Sequence, residues 1–310
     1  MTCHCIAIGI DAYKSPAWKL GACAADAIRF ADWAIGSGGV DPSNLRMMVA
    51  PPGGAPAKVD LPDSGVRVAN VAPTRKAIMA LLLTEIRKRN WGASDRLYFY
   101  FAGHGCSHEW ARGQRPEPVL FPLDVKELPI DSNLLLGFED ILSPLRAYGP
   151  RNQLIFIDAC RDFALADYAS TAGASVGRYL RPVLDDAGCA QNILYATAPG
   201  ERSLELGSGY GVFATALLEG LNGHPAALQR LAGQTDYQLT FARLAAYVRK
   251  MVETRIRRFL LDTPYRYVQA PEIDPDARQP EFEIATIDAA RVPPQPLHVR
   301  VTPGDKINEG

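Results

Sequence analysis

No apolar run in the 310-residue sequence approaches the ~20 residues that cross a bilayer, so no helical membrane anchor and no membrane partner are expected. Nor is there a basic start followed by an apolar core and a small-residue cleavage site, so no secretory signal is expected and the cytoplasm is the expected location. Cysteine is sparse. Its six copies, at 3, 5, 23, 106, 160 and 189, are scattered over a long chain, which argues against a disulfide framework. No CxxC pair accompanies Cys3 and Cys5, or His104, Cys106 and His108, and structural zinc is not expected. Charge of one sign is lacking too. Thirty-three Lys+Arg stand against 34 Asp+Glu, which excludes a global polybasic or polyacidic partner strategy, and no nucleic-acid partner is expected. The one basic stretch, 249–258 (RKMVETRIRR), sits at a helix end, where cations meet the helix dipole favourably. The glycine cluster at 207–211 lacks the GxGxxG spacing of a dinucleotide loop and reads as a helix-entry turn.

What is present is an ordinary globular composition, 47% apolar and 22% charged, in a chain long enough to bury a sizeable core. Short apolar runs at 5–10, 45–50, 96–102, 153–158 and 192–197 read as strands. Between and after them, helical spacing appears over 20–35, from Pro73-Thr74 to about Asn90, over 138–148, over 211–221 and over 240–259. Phe282, Ile284 and Ile287 mark a last strand. The proline-rich stretches 51–73 and 107–133, and the small-residue stretch 163–190, read as loops. Strands that are apolar throughout, alternating with helices, predict a three-layer α/β/α sandwich with a mostly parallel central sheet.

In such sheets chemistry gathers beyond the carboxyl ends of the strands. The run 96–102 ends in Gly103-His104-Gly105, and the run 153–158 ends in Asp158-Ala159-Cys160-Arg161-Asp162. If the two are parallel neighbours, about 4.8 Å apart, an imidazole and a thiol meet on one rim. The glycines flanking His104 are expected to allow a sharp turn and a close substrate approach. An imidazole can take the proton of a thiol nucleophile and return it to a leaving amine. The backbone N–H groups of Gly105 and Cys160 are the natural donors to a developing oxyanion.

DACRD around Cys160, with His104 in FAGHG 56 residues upstream, resembles the caspase signature, in which the His lies about 50 residues before the Cys. The order of motifs resembles the caspase-like cysteine peptidases, in their metacaspase and prokaryotic caspase-homologue branch. GIDAY at 9–13 matches the first strand and its exit, and LGACAADA at 20–27 the first helix. YGVFATALLEGLNG at 210–223 matches the helix of the small-subunit half, and TPYRY at 263–267 with FEI at 282–284 the last strand.

The resemblance implies one peptidase domain over 1–287: a large-subunit-like part over about 1–165, a linker over 163–190, a small-subunit-like part over 191–287, and a tail over 288–310. It implies a cysteine endopeptidase with His104 and Cys160 as its dyad. Asp26 and Asp158 would form an acidic pocket for Arg or Lys, since carboxylates hold a guanidinium by charge-assisted hydrogen bonds. Arg161 is expected to be structural, in an ion pair with a local carboxylate. Arg178 and Arg181 are candidate self-cleavage sites in a zymogen, with Arg178 favoured because Pro182 follows Arg181. No cofactor or metal is expected. Calcium activation occurs in part of the branch, but no acidic EF-hand loop supports it here. The implied partners are a protein substrate and an upstream activator or sensor, because the first strand begins within ten residues of Met1 and leaves no room for a sensor domain there. The implied process is regulated cell death or antiviral defence in prokaryotes. A catalytically silent interaction module and a separase-like peptidase with a different pocket are the alternatives. The oligomeric state is left open.

Overall fold

The computed structural model describes residues 1–15, 18–108, 117–128, 130–161, 189–204, 209–230, 233, 235–261, 263, 267–274 and 281–292. The strands, in chain order, are β1 (Cys3–Ile10), β2 (Val40–Ala50), β3 (Lys58–Leu61), β4 (Val66–Ala69), β5 (Arg96–Gly103), β6 (Gly105–His108), β7 (Glu117–Leu120), β8 (Leu136–Gly137), β9 (Asn152–Ala159), β10 (Ala190–Tyr195), β11 (Gln229–Arg230), β12 (Tyr237–Thr240), β13 (Glu272–Ile273) and β14 (Glu283–Ile287). The α-helices are α1 (Cys23–Gly36), α2 (Arg75–Ala80), α3 (Phe138–Tyr148), α4 (Val212–Leu221) and α5 (Phe241–Leu260).

Six strands form the central sheet in the order β13-β10-β9-β5-β1-β2, parallel throughout except for β13, which runs antiparallel to β10. Helices cover both faces, and the strand sequences show why. Side chains alternate between faces with period two, so a strand buried on both sides must be apolar at every position. On β5, Tyr98, Tyr100 and Ala102 join α1, α4 and α5 in one core, while Leu97, Phe99 and Phe101 join α2 and α3 in the other. β1 divides the same way, with Cys3, Cys5 and Ala7 on the first face and Ile6, Ile8 and Ile10 on the second. The α/β sandwich expected from the alternation is thus the fold observed. At the heart of the first core, Phe30 of α1 stacks on Tyr100 with ring centroids 4.8 Å apart and meets Phe156 edge-on.

Three expectations are corrected. The stretch 51–73 is not plain loop: it holds the hairpin β3–β4, whose turn is fixed by Asp32 of α1 accepting from the Asp63 and Ser64 N–H groups. Beyond it, the Asn70 side chain accepts from Val49 N–H and donates to Val49 O, closing the outer edge of β2 in place of a further strand. The stretch 107–133 likewise contains β7, which joins β6 and β8 in a small antiparallel sheet. The helix from Thr74 begins as expected, with the Thr74 hydroxyl accepting from Ala77 N–H, but relaxes into a π-helical turn over Leu81–Ile86. The last strand expected around Ile284 and Ile287 does form, as β14, antiparallel to β12 in a small second sheet, and the edge of the central sheet is taken by the two-residue β13.

Phe30 is fully buried, so Phe30→Ala should cost about 3–5 kcal/mol of stability, read as a lower denaturant midpoint at unchanged slope. A loss under about 1 kcal/mol would mean that the α1 interface is not a close-packed core.

Candidate active site

The site is built by register. β5 and β9 pair so that Ala102 faces Asp158 and Gly103 faces Ala159. The next residue on each strand is His104 and Cys160, which therefore leave neighbouring parallel strands at one level, roughly a strand spacing of 4.8 Å apart. Neither flanking glycine adopts a positive φ, so the expected sharp turn is not the reason for them. The reason is close approach. A Cβ on Gly103 would lie 2.7 Å from the Tyr13 hydroxyl, and one on Gly105 2.9 Å from both the Ala159 Cβ and the Cys160 carbonyl.

The imidazole of His104 is fixed from the β1–α1 connection. Its Nε2 lies 2.8 Å from the Trp18 carbonyl, and its ring packs 4.8 Å from that of Tyr13. A carbonyl only accepts, so Nε2 carries the proton and the neutral ring keeps its lone pair on Nδ1. Burial lowers the His104 pKa below its ordinary 6.5, opposed in part by the Trp18 carbonyl. The Cys160 Sγ accepts from Ser203 N–H at 3.4 Å. Burial raises the Tyr13 phenol well above its usual range, and the charges of Cys23, Asp11 and Cys160 act in the same direction. Tyr13 thus touches the imidazole and senses the thiol.

Asp26 and Asp158 converge beside this pair. Asp26 is not on the helix surface but 1% exposed, and Asp158 is 7% exposed. Asp26 Oδ2 accepts from Gly211 N–H at 2.7 Å, and Asp26 Oδ1 accepts from Arg29 at 3.3 Å. Asp158 Oδ1 accepts from the Ser203 hydroxyl at 2.6 Å, and its Oδ2 from the Tyr100 hydroxyl at 3.4 Å. Gly211, the cap of α4, wedges between the acids: a Cβ there would lie 2.8 Å from Asp26 Oδ2 and 3.2 Å from Asp158 Oδ2. Burial, reinforced by the Asp158 charge, raises Asp26 to about 8.

Sequence reasoning missed Ser203, which touches both the thiol and the acid. Its hydroxyl accepts from Gln269, whose side chain also accepts from Leu204 N–H and donates to the Ala196 carbonyl. Nothing in the residue types around Ser203 signals this, because the bonds come from a crossing segment 65 residues away. Arg161 does make the expected ion pair, with Glu272 of β13 at 2.9 Å; it also donates to the Thr197 carbonyl and lies 4.4 Å over the Tyr195 ring. It ties the turn after Cys160 to the sheet edge. Arg178 and Arg181 lie outside the described residues.

The folded chain holds a proton on Asp26 that the unfolded chain releases above about pH 4, so this group makes stability fall as pH rises toward 8. Asp26→Asn should therefore raise stability at pH 8, by up to about 5 kcal/mol, and leave it nearly unchanged at pH 4. An equal change at both pH values would show that the carboxyl is not held protonated.

A crystal structure of a Geobacter sulfurreducens protein shares the fold, with a TM-score of 0.51 at 15% identity over 88% of this chain and 93% of that one. A protein of a Desulfuromonadales bacterium named as a probable protease is 26% identical over 260 residues, 81% of this chain. The chain spans 29% of that relative's length. Among the described residues, no helix is long and apolar enough to cross a membrane. The caspase-domain profile matches residues 2–282, nearly the whole sequence, and the chain belongs to the caspase-domain family of peptidases.

Proposed function

We propose that the protein is a cysteine endopeptidase that cuts after Arg or Lys, with Cys160 as nucleophile and His104 as base. The observation that supports the reading is the β5–β9 register, in which His104 and Cys160 directly follow the facing pair Gly103 and Ala159, with the buried Asp26 and Asp158 close by.

In the proposed reaction, Nδ1 of His104 takes the thiol proton and the Cys160 thiolate attacks the scissile carbonyl. The oxyanion receives the N–H groups of Gly105 and Cys160. In support, Phe121 N–H donates to the His104 carbonyl, so the adjoining Gly105–Leu120 pair is of the alternate kind and Gly105 N–H points away from β7. The imidazolium then gives its proton to the leaving amine as the carbon–nitrogen bond breaks. Water, deprotonated by the same ring, hydrolyses the thioester and restores the thiol. The Trp18 carbonyl holds the ring through each step and favours its cationic form.

The substrate cation would lie against Asp26 and Asp158. The proton that burial holds on Asp26 leaves when a guanidinium or ammonium arrives. We further infer that an upstream activator controls the enzyme, in regulated cell death or antiviral defence, as the family resemblance implies, and that self-processing occurs at Arg178. Intact-mass measurement should then find a cut after Arg178 in wild type and none in Cys160→Ala.

Digestion of a peptide library tests the main reading. Wild type should cut after Arg and Lys, and Cys160→Ala should lose at least about 10³-fold in rate. Cutting after Asp or Leu would remove the acidic-pocket assignment, and equal cutting by Cys160→Ala would remove the nucleophile. Because burial favours the neutral imidazole, the acid limb of kcat/KM should lie below pH 6.5. A limb above that value would place the base elsewhere.

A further inference from the structure

We propose that Tyr13 is a positioning residue that fixes the backbone and the ring of His104, so that its hydroxyl sets the alignment of the imidazole with the thiol. The inference rests on His104 acting as the base in the reading above. Tyr13 ends the GIDAY segment, 91 residues before His104, yet it is 2% exposed and buried against the site.

The argument begins with an interrupted ladder. Gly105 pairs with Leu120 across β6 and β7, so His104 and Phe121 are the next antiparallel pair. Such a pair exchanges two N–H···O bonds. One is present: Phe121 N–H donates to the His104 carbonyl at 3.1 Å. The other is replaced by a relay. His104 N–H donates to the Tyr13 hydroxyl at 2.8 Å, and that hydroxyl donates to the Phe121 carbonyl at 3.0 Å. A phenol oxygen is inserted where a direct bond would close, and it holds the His104 backbone away from β7.

The same side chain shapes the surroundings in two more ways. Its ring packs 4.8 Å from the imidazole, at 52° to it, on the ring that Trp18 holds at Nε2. Its hydroxyl fills the space that a Cβ on Gly103 would need. Deleting the hydroxyl leaves the His104 N–H and the Phe121 carbonyl without a partner, in a buried place where unpaired polar groups are costly. The pair can recover only by closing onto each other, which draws His104 toward β7 by on the order of 1–2 Å. A misplacement of about 1 Å in a reacting group costs up to about 10²-fold in rate.

The test compares Tyr13→Phe with Tyr98→Phe. Tyr98 also has a buried hydroxyl on a hydrogen bond, to Arg96, but near the opposite end of β5. With an Arg peptide, Tyr13→Phe should lower kcat by about 10- to 100-fold with KM within about twofold, and Tyr98→Phe should leave both near wild type. The second readout needs no substrate: the pH dependence of Cys160 alkylation by iodoacetamide, located by mass spectrometry, should change in Tyr13→Phe and not in Tyr98→Phe. A third uses wild type only: the His104 amide should exchange as slowly as the β5 amides.

An unchanged alkylation profile in Tyr13→Phe overturns the proposal. So does a change confined to KM, an equal loss in Tyr98→Phe, or a His104 amide that exchanges like an exposed loop. If Tyr13→Phe does not fold, the amide measurement decides. If wild type cuts no peptide, the proteolytic reading fails by itself, and the alkylation profile still decides the part played by Tyr13.

Discussion

The parallel pairing of β5 with β9 is the constraint on which the rest depends. Backbone hydrogen bonds set the register, and register sets which residues leave the two strands at one level. With Gly103 opposite Ala159, His104 and Cys160 follow on the two strands at one level. A slip of one residue would send one of them to the opposite face of the sheet. The two cores enforce the register, because each strand must keep its alternate side chains in two separate apolar layers. The stability of the sandwich and the geometry of the rim are therefore one property.

Around that rim, the polar groups are held by segments from four parts of the chain. Trp18 and Tyr13 come from the exit of β1, Ser203 from beyond β10, Gly211 from the entry to α4, and Gln269 from the segment before β13. Each supplies a hydrogen bond to a polar group at or beside the rim. The acidic pair shows the balance. Burial and the neighbouring carboxyl favour the protonated form of Asp26, while Asp158 accepts from the Ser203 and Tyr100 hydroxyls. Holding two carboxyls at such low exposure is costly for the fold.

The sequence made the central sheet legible because burial on both faces leaves a plain mark, an unbroken apolar run. β1, β5, β9 and β10 all carry it, and it set His104 and Cys160 at the ends of two strands that the structure pairs in parallel. What stayed hidden was held by polar contacts rather than apolar pattern. The β3–β4 hairpin depends on Asp32 reaching its turn, and no periodicity reports that. β13 has two residues, too few for any pattern. The π-helical turn keeps the same apolar residues facing inward, so its sequence reads as ordinary helix. Tyr13 lay inside a motif already noticed, but an aromatic residue at a strand exit reads as packing. Its hydroxyl gains meaning only when β7, more than a hundred residues on, is folded beside it.

Asn70 carries a consequence of its own. Open strand edges invite pairing with other chains, and proteins blunt them to stay dispersed. Here one side-chain amide occupies both the N–H and the C=O of Val49, and Val71 takes the Met47 carbonyl two residues away. An incoming strand would find those rungs already filled. At that end of β2 a single asparagine thus stands as a stopper against sheet growth.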